Sequence, residues 1–135
     1  MTALVIDASA LAAYLLHEEG SEAVGGFLVK GVETVGLAFK ETASALLAAE
    51  RTGKISSDQA KVCMEALTTI MGHNVRAVED QEALLGESYE SARKHNASIY
   101  DSVYVVLAKR SGARLLTKDA RQMQLAKKEG VEVIP

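Results

Sequence analysis

Short, mostly apolar segments alternate along this chain with longer segments of helical periodicity, and this alternation constrains the fold most. The apolar segments predict strands over residues 3–6, 34–37, 114–117 and 131–134, and residues 75–78 are either a strand or only a connection. Such strands are buried on both faces. Because helices separate them, the chain predicts a three-layer α/β/α sandwich around a central parallel sheet of about five strands.

The segments between the strands predict helices. Their expected ranges are residues 8–16, 21–30, 39–52, from Ser56 or Ser57 through the apolar positions up to 71, from an Asp80 cap to about 94, 98–112 and 120–129. In the helix that follows Asp80, periodicity directs Leu84, Leu85, Tyr89 and Ala92 inward. No linker-like segment interrupts the 135 residues, so a single domain over residues 1–135 is expected.

Composition limits the partners and the location. The chain has 18 Asp and Glu against 15 Lys and Arg, a net charge of −3. This charge does not suggest a protein that binds nucleic acid through an overall positive charge. Only 4% of the residues are aromatic, too few for a base-stacking platform. The longest apolar run covers residues 10–16, whereas a membrane-spanning helix needs about 20. With one cysteine and no signal-like N-terminus, a cytoplasmic protein without a membrane segment is expected.

Four acidic residues follow predicted strands or lie in the first turns of predicted helices. Asp7 ends the first strand, Glu41 and Asp101 lie near helix starts, and Asp119 follows the strand over 114–117. Ligands of parallel sheets bind beyond the carboxyl ends of the strands, so the four carboxylates are expected to converge on one rim. Asp7 and Asp119 also suit plain helix N-caps, and acids in a first turn complement the helix dipole.

Two of these acids lie on apolar helical stripes. Glu41 shares its stripe with the alanines at positions 38, 45 and 48, and Asp101 shares one with Val105 and Ala108. An unpaired charge facing a core is costly, and neither acid has a Lys or Arg four residues later. A shared cation would neutralise both, and carboxylate oxygens suit Mg²⁺ or Mn²⁺. Since such ions orient phosphate oxygens and activate water, the acids indicate phosphoryl or phosphodiester chemistry.

Five other polar residues could support that chemistry. The hydroxyls of Ser9 and Thr117 could bond to the carboxylates or instead to local backbone. Lys40, Lys118 and Arg121 lie within two residues of one of the acids and could contact the backbone phosphates of a nucleic acid. Most surface Lys and Arg are merely solvated, which is the alternative interpretation for these three.

These residues make the chain resemble the PIN-domain nucleases, specifically the small toxin ribonucleases of the VapC type. The resemblance rests on four segments in this order: Val5-Ile-Asp7-Ala-Ser9-Ala-Leu11, Phe39-Lys-Glu41, Tyr100-Asp101-Ser-Val-Tyr104-Val-Val-Leu-Ala108 and Leu115-Leu-Thr117-Lys-Asp119. It covers nearly the whole chain. Each segment alone is common, whereas the four together in this order are specific.

The resemblance implies a PIN-like fold and a metal-dependent endoribonuclease. It assigns Asp7, Glu41, Asp101 and Asp119 to the acidic quartet that binds Mg²⁺ or Mn²⁺, with supporting hydroxyls at positions 9 and 117. Hydrolysis by water would leave a 5′-phosphate and a 3′-hydroxyl. The resemblance also implies a homodimer and a cognate antitoxin protein that holds the toxin inactive.

Other functions fit parts of the pattern. A receiver-like Mg²⁺-binding signalling domain would need adjacent acids after the first strand, where Asp7 stands alone. A phosphatase with an aspartyl nucleophile would need a second acid at the position of Ser9. A PIN-fold RNA-processing nuclease without an antitoxin, and an interaction protein that has lost catalysis, both remain open at this point.

Overall fold

A parallel five-stranded sheet forms the centre of the molecule, for which a computed structural model describes residues 3–78 and 81–134. The strands are β1 Leu4–Ile6, β2 Val32–Thr34, β3 Val75–Ala77, β4 Arg114–Leu116 and β5 Val133–Ile134. They lie in the order β3-β2-β1-β4-β5, and every neighbouring pair is parallel. The predicted sheet is confirmed. Its order is not the 2-1-3-4-5 arrangement of flavodoxin-like receiver domains, which removes the receiver-like alternative.

Helices connect the strands. They are α1 Ala8–Leu15, α2 Ser21–Lys30, α3 Leu37–Arg51, α4 Ser57–Ile70, α5 Gln81–His95, α6 Ile99–Ser111 and α7 Ala120–Lys128. Ser56 caps α4 in a capping box with Gln59, and the Ser98 side chain caps α6 by accepting from the Asp101 amide. The predicted cap Asp80 lies outside the described residues. Within those residues, no helix combines the length and apolar content needed to cross a bilayer.

Two apolar cores lie on opposite faces of the sheet. Because side chains alternate along a strand, Val5 enters one core while Leu4 and Ile6 enter the other. Adjacent residues of β4 divide in the same way. The core around Val5 is covered by residues of α5, α6 and α7, and the core around Ile6 by residues of α1 to α4. The α/β/α sandwich is therefore confirmed.

The second strand lies earlier than predicted, over Val32–Thr34 rather than residues 34–37. Pairing with β3 ends at Thr34, whose buried hydroxyl donates to the Ile6 carbonyl at 2.6 Å. The apolar residues that follow belong to the turn into α3, which begins at Leu37. Apolar character alone did not distinguish the strand from the buried turn after it.

The buried face of α5 also differs from the prediction. Leu84 and Ala92 are buried as expected, whereas Leu85 and Tyr89 are 60% and 58% exposed. Two serines of the same helix, Ser88 and Ser91, are buried instead. The Ser91 hydroxyl donates to the Glu129 carboxylate at 2.6 Å, so the helix buries a stripe that is not its most apolar one.

Candidate active site

The carboxyl edge of the sheet places Asp7 and Asp119 side by side. Asp7 directly follows β1 and caps α1, and Asp119 follows β4 and caps α7. Ile6 pairs with Leu116 in the sheet, so the segments that follow β1 and β4 leave the sheet at the same edge. The Asp7 carboxylate accepts from the Ala10 amide at 3.0 Å and that of Asp119 from a backbone amide at 2.8 Å. The N-cap alternative is thus also correct for both acids.

Two hydroxyl groups hold the Asp7 carboxylate, which is only 2% exposed. The Ser9 hydroxyl donates to Oδ1 at 2.7 Å, and the Thr117 hydroxyl donates to Oδ2. Ser9 Oγ in turn accepts from the Lys118 amide at 2.9 Å, and Thr117 Oγ1 accepts from the Asp119 amide at 3.0 Å. The hydroxyls therefore connect the start of α1 to the segment between β4 and α7 and fix the orientation of Asp7.

Burial raises the pKa of the Asp7 carboxyl above its usual range. Hydrogen bonds from Thr117, the Ala10 amide and Ser9 lower this pKa, and the negative charge of Asp119 raises it further. The rise outweighs the three hydrogen bonds because a buried carboxylate loses most of its hydration and gains no cation. Asp7 is therefore a carboxylate that a nearby positive charge would stabilise strongly.

Glu41 lies on α3 and Asp101 on α6, and Tyr104 of α6 contacts Glu41 directly. The Tyr104 hydroxyl donates to Oε1 of Glu41, and its side chain is 2% exposed. Burial, the hydrogen bond to Glu41 and the charges of Glu41, Asp7 and Asp101 all raise the pKa of Tyr104. The charges of three of the predicted acids therefore act on one buried phenol, and the charge of the fourth, Asp119, acts on Asp7.

The local environment of Glu41 differs from the sequence expectation. Its stripe is buried at Ala38, half-buried at Ala45 and exposed at Ala48, so only the first turns of α3 face the core. Glu41 itself is half-buried. Its hydrogen-bond donor is the phenol of Tyr104, a residue that sequence reasoning did not single out. The signal was present: a tyrosine three residues after Asp101 in an otherwise apolar segment.

The donor set suits a hard divalent cation. All four groups are carboxylates, the ligands that Mg²⁺ and Mn²⁺ prefer. None of the ion pairs that the structure describes involves any of them, so no protein cation neutralises the cluster. Within residues 3–78 and 81–134, no three acidic, histidine or cysteine side chains lie close enough to hold one ion as they stand.

The three predicted phosphate-contacting cations are all exposed. Lys40 lies on the first turn of α3, Lys118 between β4 and α7, and Arg121 on the first turn of α7. In the part of the chain that the structure describes, none of these side chains forms an ion pair. Arg121 lines a cleft together with Asp101. Contact with phosphate stays a prediction for each of them.

Comparisons with known proteins agree with this architecture. PAE2754 from Pyrobaculum aerophilum has a solved structure with a TM-score of 0.74 and 22% identity, covering 98% of this chain and 89% of that one. The structure of FitAcB from Neisseria gonorrhoeae has a TM-score of 0.64 and 15% identity, covering 98% of this chain and 96% of that one. At these identities the two structures show a shared fold.

The sequence comparisons are more specific. Ribonuclease VapC3 of Pyrobaculum aerophilum is 35% identical over 134 residues, which are 98% of this chain and 98% of the relative. Residues 4–128 match the PIN domain family. The match includes strands β1 to β4 and all four acids, and β5 lies beyond it. This chain belongs to the PIN domain family.

Proposed function

We propose that this protein is an endoribonuclease that hydrolyses RNA phosphodiester bonds with the help of a divalent cation. The single observation that carries the proposal is the position of Asp7 and Asp119 at the carboxyl edge of a PIN-domain sheet, where no ion pair of the described residues involves them. The charges of Glu41 and Asp101 act on the neighbouring Tyr104. The 35% identical relative is a ribonuclease, which supports RNA as the substrate. Asp7, Glu41, Asp101 and Asp119 are the proposed catalytic and metal-holding residues.

The residues of this chain have distinct roles in the proposed reaction. A divalent ion, Mg²⁺ or Mn²⁺, would supply Lewis-acid activation of water and neutralise charge on the phosphate. Ser9 and Thr117 keep Asp7 in one orientation by donating to both of its oxygens. Tyr104 orients Glu41 by donating to one of its oxygens, Oε1. The exposed cations Lys40, Lys118 and Arg121 are the proposed contacts to RNA phosphates.

RNA cleavage with and without divalent metal tests the proposed activity. We expect wild-type protein to cleave RNA with Mg²⁺ or Mn²⁺ and to stop when a chelator is added. Asp7→Asn and Asp101→Asn should lose cleavage, whereas Asp58→Asn, at an exposed acid in the first turn of α4, should retain it. Undiminished cleavage by both site variants would refute the proposed site. Product ends bearing 5′-phosphate and 3′-hydroxyl would support attack by water.

We further propose that the protein is the toxin of a toxin–antitoxin pair. We also propose that it is a cytoplasmic homodimer and that residues 1–135 form one nuclease domain. The VapC name of the 35% identical relative supports the toxin role. Expression of wild-type protein should arrest growth, and co-expression of the product of the adjacent reading frame should restore it. Cleavage without growth arrest would instead favour an RNA-processing nuclease without an antitoxin. Light scattering of the purified protein tests the dimer.

A further inference from the structure

A cleft of about 300 Å³ opens beside Asp101, between α7 and the turn that joins α5 to α6. One wall is a single stripe of α7, because Arg121, Gln124 and Lys128 recur at helical spacing. Buried Leu125 lies at the base of this wall, and Asn96 lines the facing turn. The volume is at the lower end of the range for small-molecule sites, so the cleft has room for a nucleotide-sized group.

The cleft is a donor-rich extension of the acid cluster. Asp101 lines the cleft, and its charge acts on Tyr104 together with those of Glu41 and Asp7, so the cleft adjoins the acid cluster. Arg121 and Lys128 are exposed and take part in none of the ion pairs of the described residues. His95 also lines the cleft, but its ring nitrogen lies 3.0 Å from the Glu129 carboxylate. The two unpaired cations are therefore available to an anionic ligand.

The spacing of the cations suits an extended polyanion better than one small anion. Seven residues separate Arg121 from Lys128, which is about 10.5 Å along the helix, or roughly three times the 3.4 Å charge spacing of one stacked nucleic-acid strand. The N-terminus of α6, with its partial positive charge, also faces this cleft at Ser98. Amide side chains at Asn96 and Gln124 can bond to sugar hydroxyls or base edges.

We propose that this cleft binds single-stranded RNA on one side of the bond to be cut, with Arg121 and Lys128 contacting successive stretches of its backbone. The inference rests on the proposed ribonuclease function for its choice of ligand. The two cations offset the repulsion between RNA phosphates and the neighbouring carboxylates, so the strand can approach Asp101. The α7 stripe thereby sets the direction in which the RNA leaves the site.

Fluorescence anisotropy with a short labelled single-stranded RNA, in the presence of a chelator, measures this binding without cleavage. We expect Arg121→Ala and Lys128→Ala each to raise Kd about tenfold and to reduce the slope of log Kd against log salt by about 0.7. Lys127→Ala is the matched control, since Lys127 is an exposed cation of the same helix that does not line the cleft. This control should leave both quantities nearly unchanged.

Steady-state cleavage with added Mn²⁺ separates this inference from the proposed activity. The two cleft variants should raise KM for RNA while kcat stays close to wild type, because lost uniform binding affects KM alone. If wild type cleaves RNA and both cleft variants behave like Lys127→Ala, the cleft inference is refuted and the ribonuclease function stands. If no protein cleaves RNA but the losses in binding are observed, the cleft stands and the ribonuclease function fails. If the two cleft variants bind a polyglutamate peptide more weakly than wild type does but bind RNA equally well, the cleft is a peptide site and the inference is overturned.

Discussion

Replacement of Thr117 by valine tests whether the hydroxyl clamp on Asp7 serves metal binding or only the fold. Thr117 is fully buried, donates to Asp7 Oδ2 and accepts from the Asp119 amide at 3.0 Å. Valine has nearly the same shape, so the substitution removes the hydroxyl and leaves the packing. Thr34→Val is the matched control, because Thr34 is equally buried but donates to a backbone carbonyl at 2.6 Å.

The two variants should differ in metal affinity more than in stability. A net hydrogen bond to a charged acceptor contributes about 1.5–3 kcal/mol, and one between neutral groups about 0.5–1.5 kcal/mol. We therefore expect Thr117→Val to lose about 2 kcal/mol of unfolding free energy and Thr34→Val about 1 kcal/mol. Loss of a group that orients a metal ligand typically costs 10- to 100-fold in metal affinity, which we expect for Thr117→Val alone.

Urea denaturation and Mn²⁺ titration by calorimetry measure these two effects. The pH dependence of cleavage adds a third, because the bond from Thr117 lowers the pKa of Asp7. Without it that pKa rises further, so activity that needs the ionised carboxylate should be lost at a higher pH as the solution is acidified. Equal loss of Mn²⁺ affinity in the two variants, or an unshifted acidic limb, would refute the argument that Thr117 acts through Asp7.

Two further substitutions test other polar contacts. Hydrogen bonds from Ser91 and Lys109 lower the pKa of Glu129 from 4.5 to about 2, so its stabilisation is present above pH 4.5 and is lost as pH falls towards 2. At 1.36 kcal/mol per unit this shift corresponds to about 3.4 kcal/mol, but Lys109 is largely exposed and we expect about 1–2 kcal/mol. Urea denaturation of wild type and Glu129→Gln at neutral and acidic pH checks this, because the difference between their unfolding free energies should shrink as pH falls. A difference that stays the same at both pH values would contradict it. Tyr104→Phe removes the donor to Glu41 and should weaken Mn²⁺ binding about tenfold in calorimetry; unchanged affinity would mean that Glu41 is positioned by other contacts.

Much of the fold could be predicted because a strand that is buried on both faces appears in the sequence as a continuous run of apolar residues. Val5 and Ile6, with 0% exposure, belong to such a run, and helices on either side must cover it. The errors arose where the apolar character of a residue does not determine its secondary structure or its burial. The predicted strand over residues 34–37 included the turn into α3, and α5 buries Ser88 while the larger and more apolar Leu85 is exposed.

The candidate site was predictable in its acids and less so in its contacts. Strand ends and helix starts are local features, so sequence alone could place Asp7 and Asp119 at one edge. The bond from Tyr104 to Glu41 joins residues 63 positions apart on two different helices, and only the folded structure reveals it. A tyrosine in an apolar segment is more often plain core, and here it is both core and the donor to a proposed metal ligand.

The burial of Asp7 has a thermodynamic consequence that connects the site to the stability of the whole fold. The pKa of Asp7 is higher in the folded protein than the usual 3.8, so the folded state holds the proton more tightly than the unfolded state does. The folded protein therefore loses stability as pH rises from the unfolded-state pKa to the folded-state pKa. A divalent cation that binds only the folded protein should reverse this loss, by about 2.7 kcal/mol at 100 times its Kd. For a chain of this size that is a rise in Tm of roughly 10 °C. Scanning fluorimetry with Mn²⁺ should show the rise in wild type and in Asp58→Asn, and should show little of it in Asp7→Asn. An equal rise in Asp7→Asn would mean that the ion binds elsewhere, because the charge that made binding favourable would then be dispensable.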